Sequence, residues 1–299
     1  MFTSATAKRS FCITIILISS FISAIASAQM TPKPGQKIAL ITGSTSGLGR
    51  EVAFRLSARD YFVIVHGRNR ERGLDVVAQI EDSGLGGARF YAVDLGSLQQ
   101  VRKPGEDIVN DFDRLDVLVN NAGIGSSPAR RLVPEDGHEL RFQVNYLSHF
   151  LLTHQLLPLL QDSAPSRIVN VSSGAQQEID FDDVMLENGF SGGRAYTQSK
   201  LAQILFTIDL AEDLEGTEVL VNALHPATYM DTAMVRNAGA TPRATVGEGA
   251  DGVMQLITED IGSGNYFVRQ RSVRANRQAY DEQAREKLWL LSEQLTGLD

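Results

Sequence analysis

The feature that most constrains the fold is a regular alternation of short apolar runs and helical patterns that begins at Lys37. The runs Lys37–Thr42 and Tyr61–His66 are almost continuously apolar or β-branched, and helical patterns over 47–58 and 70–82 follow them. Strands without a polar face are typical of a sheet that is covered on both sides. Strand–helix alternation also implies right-handed crossovers between parallel strands. The pattern therefore predicts an α/β fold.

The alternation continues to the end of the chain. Further strands are expected at 88–93, 115–119, 167–171, 218–224 and 265–268, which gives about seven parallel strands. Further helices are expected over 97–112, 136–160, 196–214, 246–259 and 278–295. Pro104 lies inside the first of these, where proline costs about 3 kcal/mol, so we expect a break or a late start there. No linker or repeat divides residues 36–296. One doubly wound Rossmann-type domain with helices on both faces is predicted.

Residues 1–28 differ in composition from the rest of the chain. Lys8 and Arg9 precede an apolar run over 11–26, and the small residues Ser27 and Ala28 follow. This layout is typical of a secretory signal, and the run is shorter than the roughly 20 residues of a membrane span. We expect cleavage after Ala28 and an exported protein, periplasmic or secreted. The alternatives are a membrane-anchored protein, touching the membrane only through this uncleaved segment, and a cytoplasmic protein with a misassigned start.

Charge and residue usage exclude several classes of function. The net charge is −8, and no basic run is interleaved with aromatics, so we expect no nucleic-acid partner. The single cysteine, Cys12, lies in the N-terminal segment, which excludes disulfides and cysteine catalysis downstream. No metal site is expected, because the histidines share no ligand spacing. We interpret His149 and His154 as packing or surface residues.

A glycine-rich loop joins the first strand to the first helix. Residues 42–50 read TGSTSGLGR at the strand-to-helix junction that a dinucleotide pyrophosphate requires. Glycines allow a tight turn and close approach of the backbone to phosphate at the positive helix end. The cofactor-binding residues predicted in this loop are Gly43, Ser44, Ser46, Gly47, Leu48 and Gly49.

The end of the second strand favours one cofactor over another. It reads His66-Gly67-Arg68, without the acidic residue that binds the ribose of NAD(H). Arg68 can instead form charge-assisted hydrogen bonds to a 2′-phosphate. NADP(H) is therefore favoured, with NAD(H) and a solvated surface arginine as the alternatives.

Taken in order, these motifs resemble the short-chain dehydrogenase/reductase family over about residues 36–296. The resemblance rests on the glycine loop, Asp94-Leu95, the run Asn120–Gly123 and the run Tyr196–Lys200. It implies that Asp94 contacts the adenine, that Asn120 steadies the sheet, and that the residues after it line the cofactor channel. Outside the glycine loop and Arg68, the predicted cofactor-binding residues are Asp94, Leu95, Asn121, Ala122, Gly123, Tyr196, Lys200, Pro226 and Thr228.

Three further features resemble the retinol-dehydrogenase and protochlorophyllide-reductase-like branch. They are the long gap between Ser173 and Tyr196, the run YTQSKLAQILF over 196–206, and Leu288-Trp289 near the end of the chain. The resemblance implies NADP(H) and a lipophilic carbonyl or alcohol substrate.

Four residues form the predicted catalytic set. Tyr196 and Lys200 are four apart on a helix, which places their Cβ atoms roughly 5–6 Å apart. A neighbouring ammonium favours the phenolate and lowers the tyrosine pKa from about 10, so Tyr196 can donate or accept the substrate proton. Ser173, with Ser172 as the adjacent alternative, can stabilise charge on the substrate oxygen. By resemblance, Lys200 holds the nicotinamide ribose and Asn145 holds the water that links Lys200 to solvent.

The chain departs from the family pattern after the sixth strand. Ala227 follows Pro226 where the family usually has glycine, and Thr232 comes one residue late. Residues 231–245 are interpreted as a substrate lid, because Gly, Ala and Pro punctuate them without a clear period. Two rival functions remain: a non-catalytic NADP(H)-sensing protein, and a nucleotide-sugar epimerase or dehydratase, which needs a larger C-terminal region. The resemblance leaves both a homo-oligomer and a monomer open, because the family is often dimeric or tetrameric and monomers occur in this branch.

Overall fold

The computed structural model describes Met1 and residues 30–298. Its centre is one sheet with the strand order β3-β2-β1-β4-β5-β6-β7-β8. The strands are β1 (Ile38–Ile41), β2 (Phe62–Gly67), β3 (Gly87–Ala92), β4 (Val117–Asn120), β5 (Ser166–Val171), β6 (Val219–His225), β7 (Tyr266–Val268) and β8 (Arg271–Ser272). The first seven are parallel, as predicted. The two-residue β8 is antiparallel to β7 and too short to leave a sequence pattern.

Helices cover both faces of the sheet, which confirms the doubly wound fold. They are α1 (Gly47–Ser57), α2 (Arg70–Asp82), α3 (Leu98–Asp111), α4 (Leu140–Phe142), α5 (Ser148–Asp162), α6 (Gly192–Asp213), α7 (Ala233–Asn237), α8 (Val246–Thr258) and α9 (Glu282–Thr296). Alternate strand residues enter two separate apolar cores. Ile38 and Leu40 pack with α3, α5, α6 and α9, whereas Ala39 and Ile41 pack with α1, α2 and α8.

The predicted break in the third helix is wrong. Helix α3 runs through Pro104 without interruption. The proline removes the hydrogen bond to the carbonyl of Gln100, an exposed residue that water can reach. The next residue, Gly105, allows close packing, because a Cβ there would lie 2.6 Å from Gln155 Oε1 of α5.

Two helices that carry predicted site residues differ from their predicted bounds. The helix predicted over 136–160 begins only at Leu140, because the Glu139 side chain accepts hydrogen bonds from the first helical N–H groups. A π-helical turn, Gln143–Leu147, then separates α4 from α5. Helix α6 begins at Gly192 rather than at Tyr196, and so Tyr196 lies in its second turn.

The predicted export signal at residues 1–28 lies outside residues 30–298. Within residues 30–298, no helix is both long and apolar enough to span a membrane.

Candidate active site

The predicted site residues meet at the carboxyl edge of the sheet, where β1, β4, β5 and β6 end. Ligands of open α/β sheets bind at this edge, beside the point where the strand order reverses. Here the order reverses between β1 and β4. The glycine loop follows β1, and the run Asn121–Gly123 follows β4.

Close backbone contacts explain two glycines of the loop. Gly43 has φ +66°, and a Cβ there would lie 2.9 Å from Ala122 Cα. A Cβ on Gly49 would lie 2.5 Å from Asn121 Nδ2 and 2.6 Å from the Gly43 oxygen. The loop and the end of β4 are therefore in direct contact, which only glycine permits at these two positions.

Side-chain hydrogen bonds join the same two segments. Asn121 Nδ2 donates to the Thr42 backbone oxygen at 2.8 Å. Thr42 Oγ1 accepts from the N–H groups of Asn121 and Ala122, both at 2.9 Å. Asn121 and Ala122, predicted to bind cofactor, thus also hold the glycine loop in place. Thr42 is a positioning residue that the sequence pattern did not reveal.

The interpretation of His149 as a packing or surface residue is incomplete. Its ring is buried on α5 and lies 3.0 Å from Thr42 Oγ1 through Nε2. Nδ1 lies 3.1 Å from the Asn145 backbone oxygen. Burial lowers the pKa of His149 to about 3, so the ring is neutral at physiological pH.

Ser44 and Ser46, both predicted to bind cofactor, have different surroundings. Ser44 is fully buried, and its hydroxyl donates to the Ile41 oxygen and accepts from the His66 N–H. This hydroxyl is therefore hydrogen-bonded to backbone groups of β1 and β2. Ser46 is exposed at the N-cap of α1, with extended backbone and no side-chain capping bond. Its hydroxyl is available to a phosphate.

Arg68 and Asp94 lie together beyond the ends of β2 and β3. The Arg68 side chain is 69% exposed, and its guanidinium lies 3.8 Å from an Asp94 oxygen. The same oxygen accepts from the Gly96 N–H, which fixes the Asp94 side chain. Leu95, by contrast, is buried and packs in the core. Arg68 is thus a charged, accessible side chain near the predicted adenine contact.

Asn145 lies within the π-helical turn and is completely buried. Its Oδ1 accepts from the Ile124 N–H at 2.8 Å, and its Nδ2 donates to Ser199 Oγ at 2.9 Å. Ser199 belongs to α6 and is next to Lys200. Asn145 therefore links the loop after β4 to the helix that carries Tyr196 and Lys200. π-turns within helices are frequent at functional sites.

The structure distinguishes the two serines that follow β5. Ser172 Oγ donates to the Lys200 backbone oxygen at 2.6 Å, and its hydroxyl hydrogen is thereby used. The Ser173 hydroxyl instead accepts from the Ala175 N–H at 3.1 Å and lies close enough to the Tyr196 phenol to lower the pKa of that phenol. The Tyr266 hydroxyl, on β7, donates to the Ser173 backbone oxygen at 2.9 Å. Ser173 is therefore the serine that faces Tyr196.

Tyr196 and Lys200 lie on one face of α6, and both side chains are largely buried. Burial raises the pKa of Tyr196, and the Ser173 hydroxyl lowers it. The Lys200 Nζ donates to Val171 O at 2.9 Å and to Gln203 Oε1 at 2.8 Å. The lowering of the Tyr196 pKa by Lys200 stays a prediction. Burial also lowers the pKa of Lys200 to about 7. The sequence reading missed Gln203, although it lies on the same helix face.

The loop after β6 brings the predicted lid to the site. Pro226 is buried, and the exposed Thr228 has its hydroxyl 2.9 Å from His225 Nε2. A Cβ on Gly47 would lie 3.4 Å from Thr232 Cγ2, so this segment passes beside the glycine loop. A Cβ on Gly125 would similarly lie 3.1 Å from Met234 Cγ.

The start of α7 thus lies between the loops that follow β1 and β4. Among residues 30–298, no group of three or more His, Cys, Asp or Glu side chains is arranged to hold a metal ion.

Comparison with known proteins agrees with this architecture. The sequence profile of the family described as short chain dehydrogenase matches residues 37–243, more than half of the chain. The chain belongs to the short-chain dehydrogenase family.

Within this family, the chain lies in the retinol-dehydrogenase-like branch. It is 38% identical over 295 residues to human (Homo sapiens) retinol dehydrogenase 14, covering 88% of this chain and 87% of that protein. It is therefore an oxidoreductase of this family.

Solved structures of the family share the fold. A protein of Mycobacterium paratuberculosis superposes with a TM-score of 0.75 at 30% identity, covering 89% of this chain and 95% of that one. A short chain dehydrogenase of Escherichia coli CFT073, complexed with NADPH, has a TM-score of 0.64 at 26% identity, covering 79% and 97%.

Proposed function

We propose that this protein uses NADP(H) to interconvert a carbonyl and an alcohol on a lipophilic small molecule. Its catalytic residues are Tyr196, Lys200, Ser173 and Asn145. The observation that carries the proposal is that Ser173, Tyr196, Lys200 and Asn145 meet at the carboxyl edge of the sheet, where the Ser173 hydroxyl lowers the pKa of the Tyr196 phenol and Asn145 bonds to the helix that carries Tyr196 and Lys200. These two hydroxyls can meet one substrate oxygen from two sides.

The residues around the glycine loop fit a dinucleotide phosphate. Gly43 and Gly47 have positive φ values of 66° and 55°, which brings the backbone to the surface of the loop. The Ser46 hydroxyl and the first N–H groups of α1 point to the same helix end, where phosphate binds well. Arg68 is exposed and positively charged where a 2′-phosphate would lie. The relative from Escherichia coli, solved with NADPH, supports this choice.

In the proposed reaction, the bound nicotinamide supplies or accepts the hydride. During reduction, Tyr196 donates its phenolic proton to the substrate oxygen, and during oxidation it accepts that proton. Ser173 donates a hydrogen bond to the same oxygen and stabilises negative charge that develops there. Lys200 places a positive charge near the phenol, and Asn145 fixes the helix that carries both.

Large side chains in and beside the lid support an apolar substrate. Tyr229 and Met234 are large side chains that remain 46% and 39% exposed, and Met234 packs beside the loop after β4. Residues 231–245 accordingly form the proposed lid of a single domain over 36–296. A relative named for retinol supports the same substrate class.

A substrate panel tests this function. The full-length protein is given NADPH or NADH with short and long-chain aldehydes, ketones and quinones, and cofactor oxidation is followed by absorbance. We expect NADPH to be preferred and long apolar aldehydes to give the highest kcat/KM. Tight NADPH binding without turnover of any carbonyl would instead favour a sensing protein.

We also propose that residues 1–28 direct the protein to export or anchor it to a membrane. Fractionation of the source cells, with N-terminal sequencing of the purified protein, tests this directly. A mature N-terminus at Gln29 is expected for export. An intact N-terminus in the membrane fraction would indicate an anchor, and one in the soluble cytoplasmic fraction would contradict both.

A further inference from the structure

Gln203 lies beside Lys200 on the inner face of α6. Tyr196, Lys200 and Gln203 occupy positions i, i+4 and i+7, which places their side chains on one face of the helix. Gln203 is 1% exposed and Lys200 4%. The Lys200 Nζ donates to Gln203 Oε1 at 2.8 Å and to the Val171 oxygen at 2.9 Å. Two of the three ammonium N–H groups are therefore bound by the protein.

The chemistry of the two groups fixes the orientation of the carboxamide. An ammonium has only donors, and so the amide must present its oxygen to it. In that orientation Gln203 Nε2 is buried without a hydrogen-bond partner among residues 30–298. An unpaired buried amide nitrogen is unfavourable, and proteins depart from full hydrogen bonding chiefly at functional sites.

The remaining side of the ammonium faces the predicted cofactor channel. A Cβ on Gly123 would lie 3.4 Å from Lys200 Nζ and 3.2 Å from Asn145 Oδ1. Because Gly123 has no side chain, no Cβ closes this side of the buried Lys200 ammonium. The hydrogen bonds to Gln203 and Val171 thus direct one donor toward the channel.

We propose that Gln203 is a positioning residue, which holds the Lys200 ammonium so that one N–H points to the cofactor and its charge acts on Tyr196. This inference rests on the proposed function, because Gln203 acts only through Lys200.

Other titratable groups also lie near Lys200 and Tyr196. His149 faces Lys200 from α5, and Tyr266 faces Tyr196 from β7. The Arg141 guanidinium lies near Gly192 at the first turn of α6, and Glu139 neutralises it. Among residues 30–298, no carboxylate forms a hydrogen bond or ion pair with Lys200. A carboxylate at position 203 would therefore be the strongest new charge on the ammonium.

The test compares Gln203→Glu and Gln203→Met with Gln198→Met in the full-length protein. Gln198 is a buried glutamine on the same helix that bonds to the Val184 oxygen instead of Lys200, which makes it a matched control. The cofactor-free proteins carry ¹³C-labelled lysine, and the Lys200 signal is titrated by NMR. The other four lysines of residues 30–298 are exposed, so the buried Lys200 can be distinguished from them.

We expect Gln203→Glu to raise the Lys200 pKa by about one unit or more, and Gln203→Met to lower it. In the active enzyme, Gln203→Met should lower kcat about tenfold with little change in the KM of the carbonyl substrate. Gln203→Glu should move the acidic limb of alcohol oxidation to higher pH, since the carboxylate offsets the charge that acts on Tyr196. Gln198→Met should change none of these.

If the pKa of Lys200 is the same in both Gln203 variants as in the wild type, the inference is overturned, and this result does not depend on which substrate the enzyme uses. A wild-type protein without turnover would count against the proposed function instead. The titration of Lys200 in cofactor-free protein would still decide the role of Gln203 in that case.

Discussion

His149 Nε2 lies 3.0 Å from Thr42 Oγ1, and His149 Nδ1 lies 3.1 Å from the Asn145 backbone oxygen. A carbonyl oxygen only accepts, so Nδ1 carries the hydrogen and Nε2 accepts from the threonine hydroxyl. Thr42 Oγ1 in turn accepts from the N–H groups of Asn121 and Ala122. One neutral histidine therefore connects the glycine loop, the end of β4 and the π-turn that carries Asn145.

These buried histidines predict that the folded protein loses stability as the pH falls. The folded-state pKa of His149 is lowered to about 3, and that of His66 to about 4, because burial disfavours the charged rings. Both groups therefore bind protons more tightly in the unfolded chain. Their stabilising contribution is complete above pH 6.5 and is lost as the pH falls below it, by up to about 1.4 kcal/mol per pH unit for each ring.

Replacing His149 should reduce both stability and its dependence on pH. His149→Leu removes the partners of Thr42 and Asn145, so we expect a loss of about 1–3 kcal/mol at pH 7. The loss should shrink toward pH 4, because leucine does not titrate. Urea unfolding between pH 4 and pH 7 measures both effects, with His138→Leu as a partly exposed control. Parallel pH curves for wild type and His149→Leu would contradict this account.

A buried ion pair beside the site should also be important for stability. Arg141 and Glu139 are both 1% exposed, and Arg141 also donates to the backbone oxygens of Gly125 and Ser126 after β4. Removing one partner leaves an uncompensated buried charge, so Arg141→Met should destabilise by about 3–5 kcal/mol. Thermal unfolding checks this, with Arg277→Met, on an exposed pair with Glu178, as the control expected to change little.

The contact between the glycine loop and β4 predicts a steric defect. An alanine at position 49 places its Cβ 2.5 Å from Asn121 Nδ2 and 2.6 Å from the Gly43 oxygen. Because backbone must move, Gly49→Ala should cost about 1–3 kcal/mol of stability and weaken NADPH binding. At Gly193, a Cβ would meet only Ser191 Oγ, at 3.6 Å, so Gly193→Ala should be neutral. Equal NADPH affinity in the two variants would argue against this loop geometry.

Arg68 should determine the preference between the two nicotinamide cofactors. Charge-assisted bonds to a 2′-phosphate contribute about 1.5–3 kcal/mol, so Arg68→Ala should weaken NADPH binding about 10–100-fold. NADH has no 2′-phosphate, and its affinity should change little. Fluorescence titration of both cofactors provides the comparison. An equal loss for NADH and NADPH would show that Arg68 does not contact the phosphate.

Regular patterns made the fold and most of the motif residues predictable from the sequence. Seven strands were recognisable because buried parallel strands are continuously apolar, and Tyr196 and Lys200 because a helix places residues four apart on one face. Helix ends were less predictable. The cap by Glu139 is local, but glutamate is not among the residue types that usually cap a helix start. Close packing at Gly105 depends on Gln155 of α5, which comes near only in the folded chain.

The same reason explains which site residues were missed. Thr42 and His149 act through hydrogen-bond partners on other strands, helices and loops. Gln203 acts through Lys200, whose ammonium also donates to the Val171 oxygen. Their residue types occur in many helices and strands without function. Spacing alone also did not reveal that burial lowers the pKa of Lys200 to about 7, while the hydrogen bond to Gln203 favours the charged ammonium.

The most direct test of the central claim is to follow the hydride itself. NADPH with both hydrogens at C4 of the nicotinamide replaced by deuterium is mixed with a long-chain aldehyde that the full-length protein reduces, and the alcohol is analysed by mass spectrometry and NMR. We expect deuterium on the carbinol carbon with wild-type protein, and loss of turnover by about 10²–10⁴-fold with Tyr196→Phe. An alcohol without deuterium, or a Tyr196→Phe variant as active as wild type, would contradict the proposed reaction.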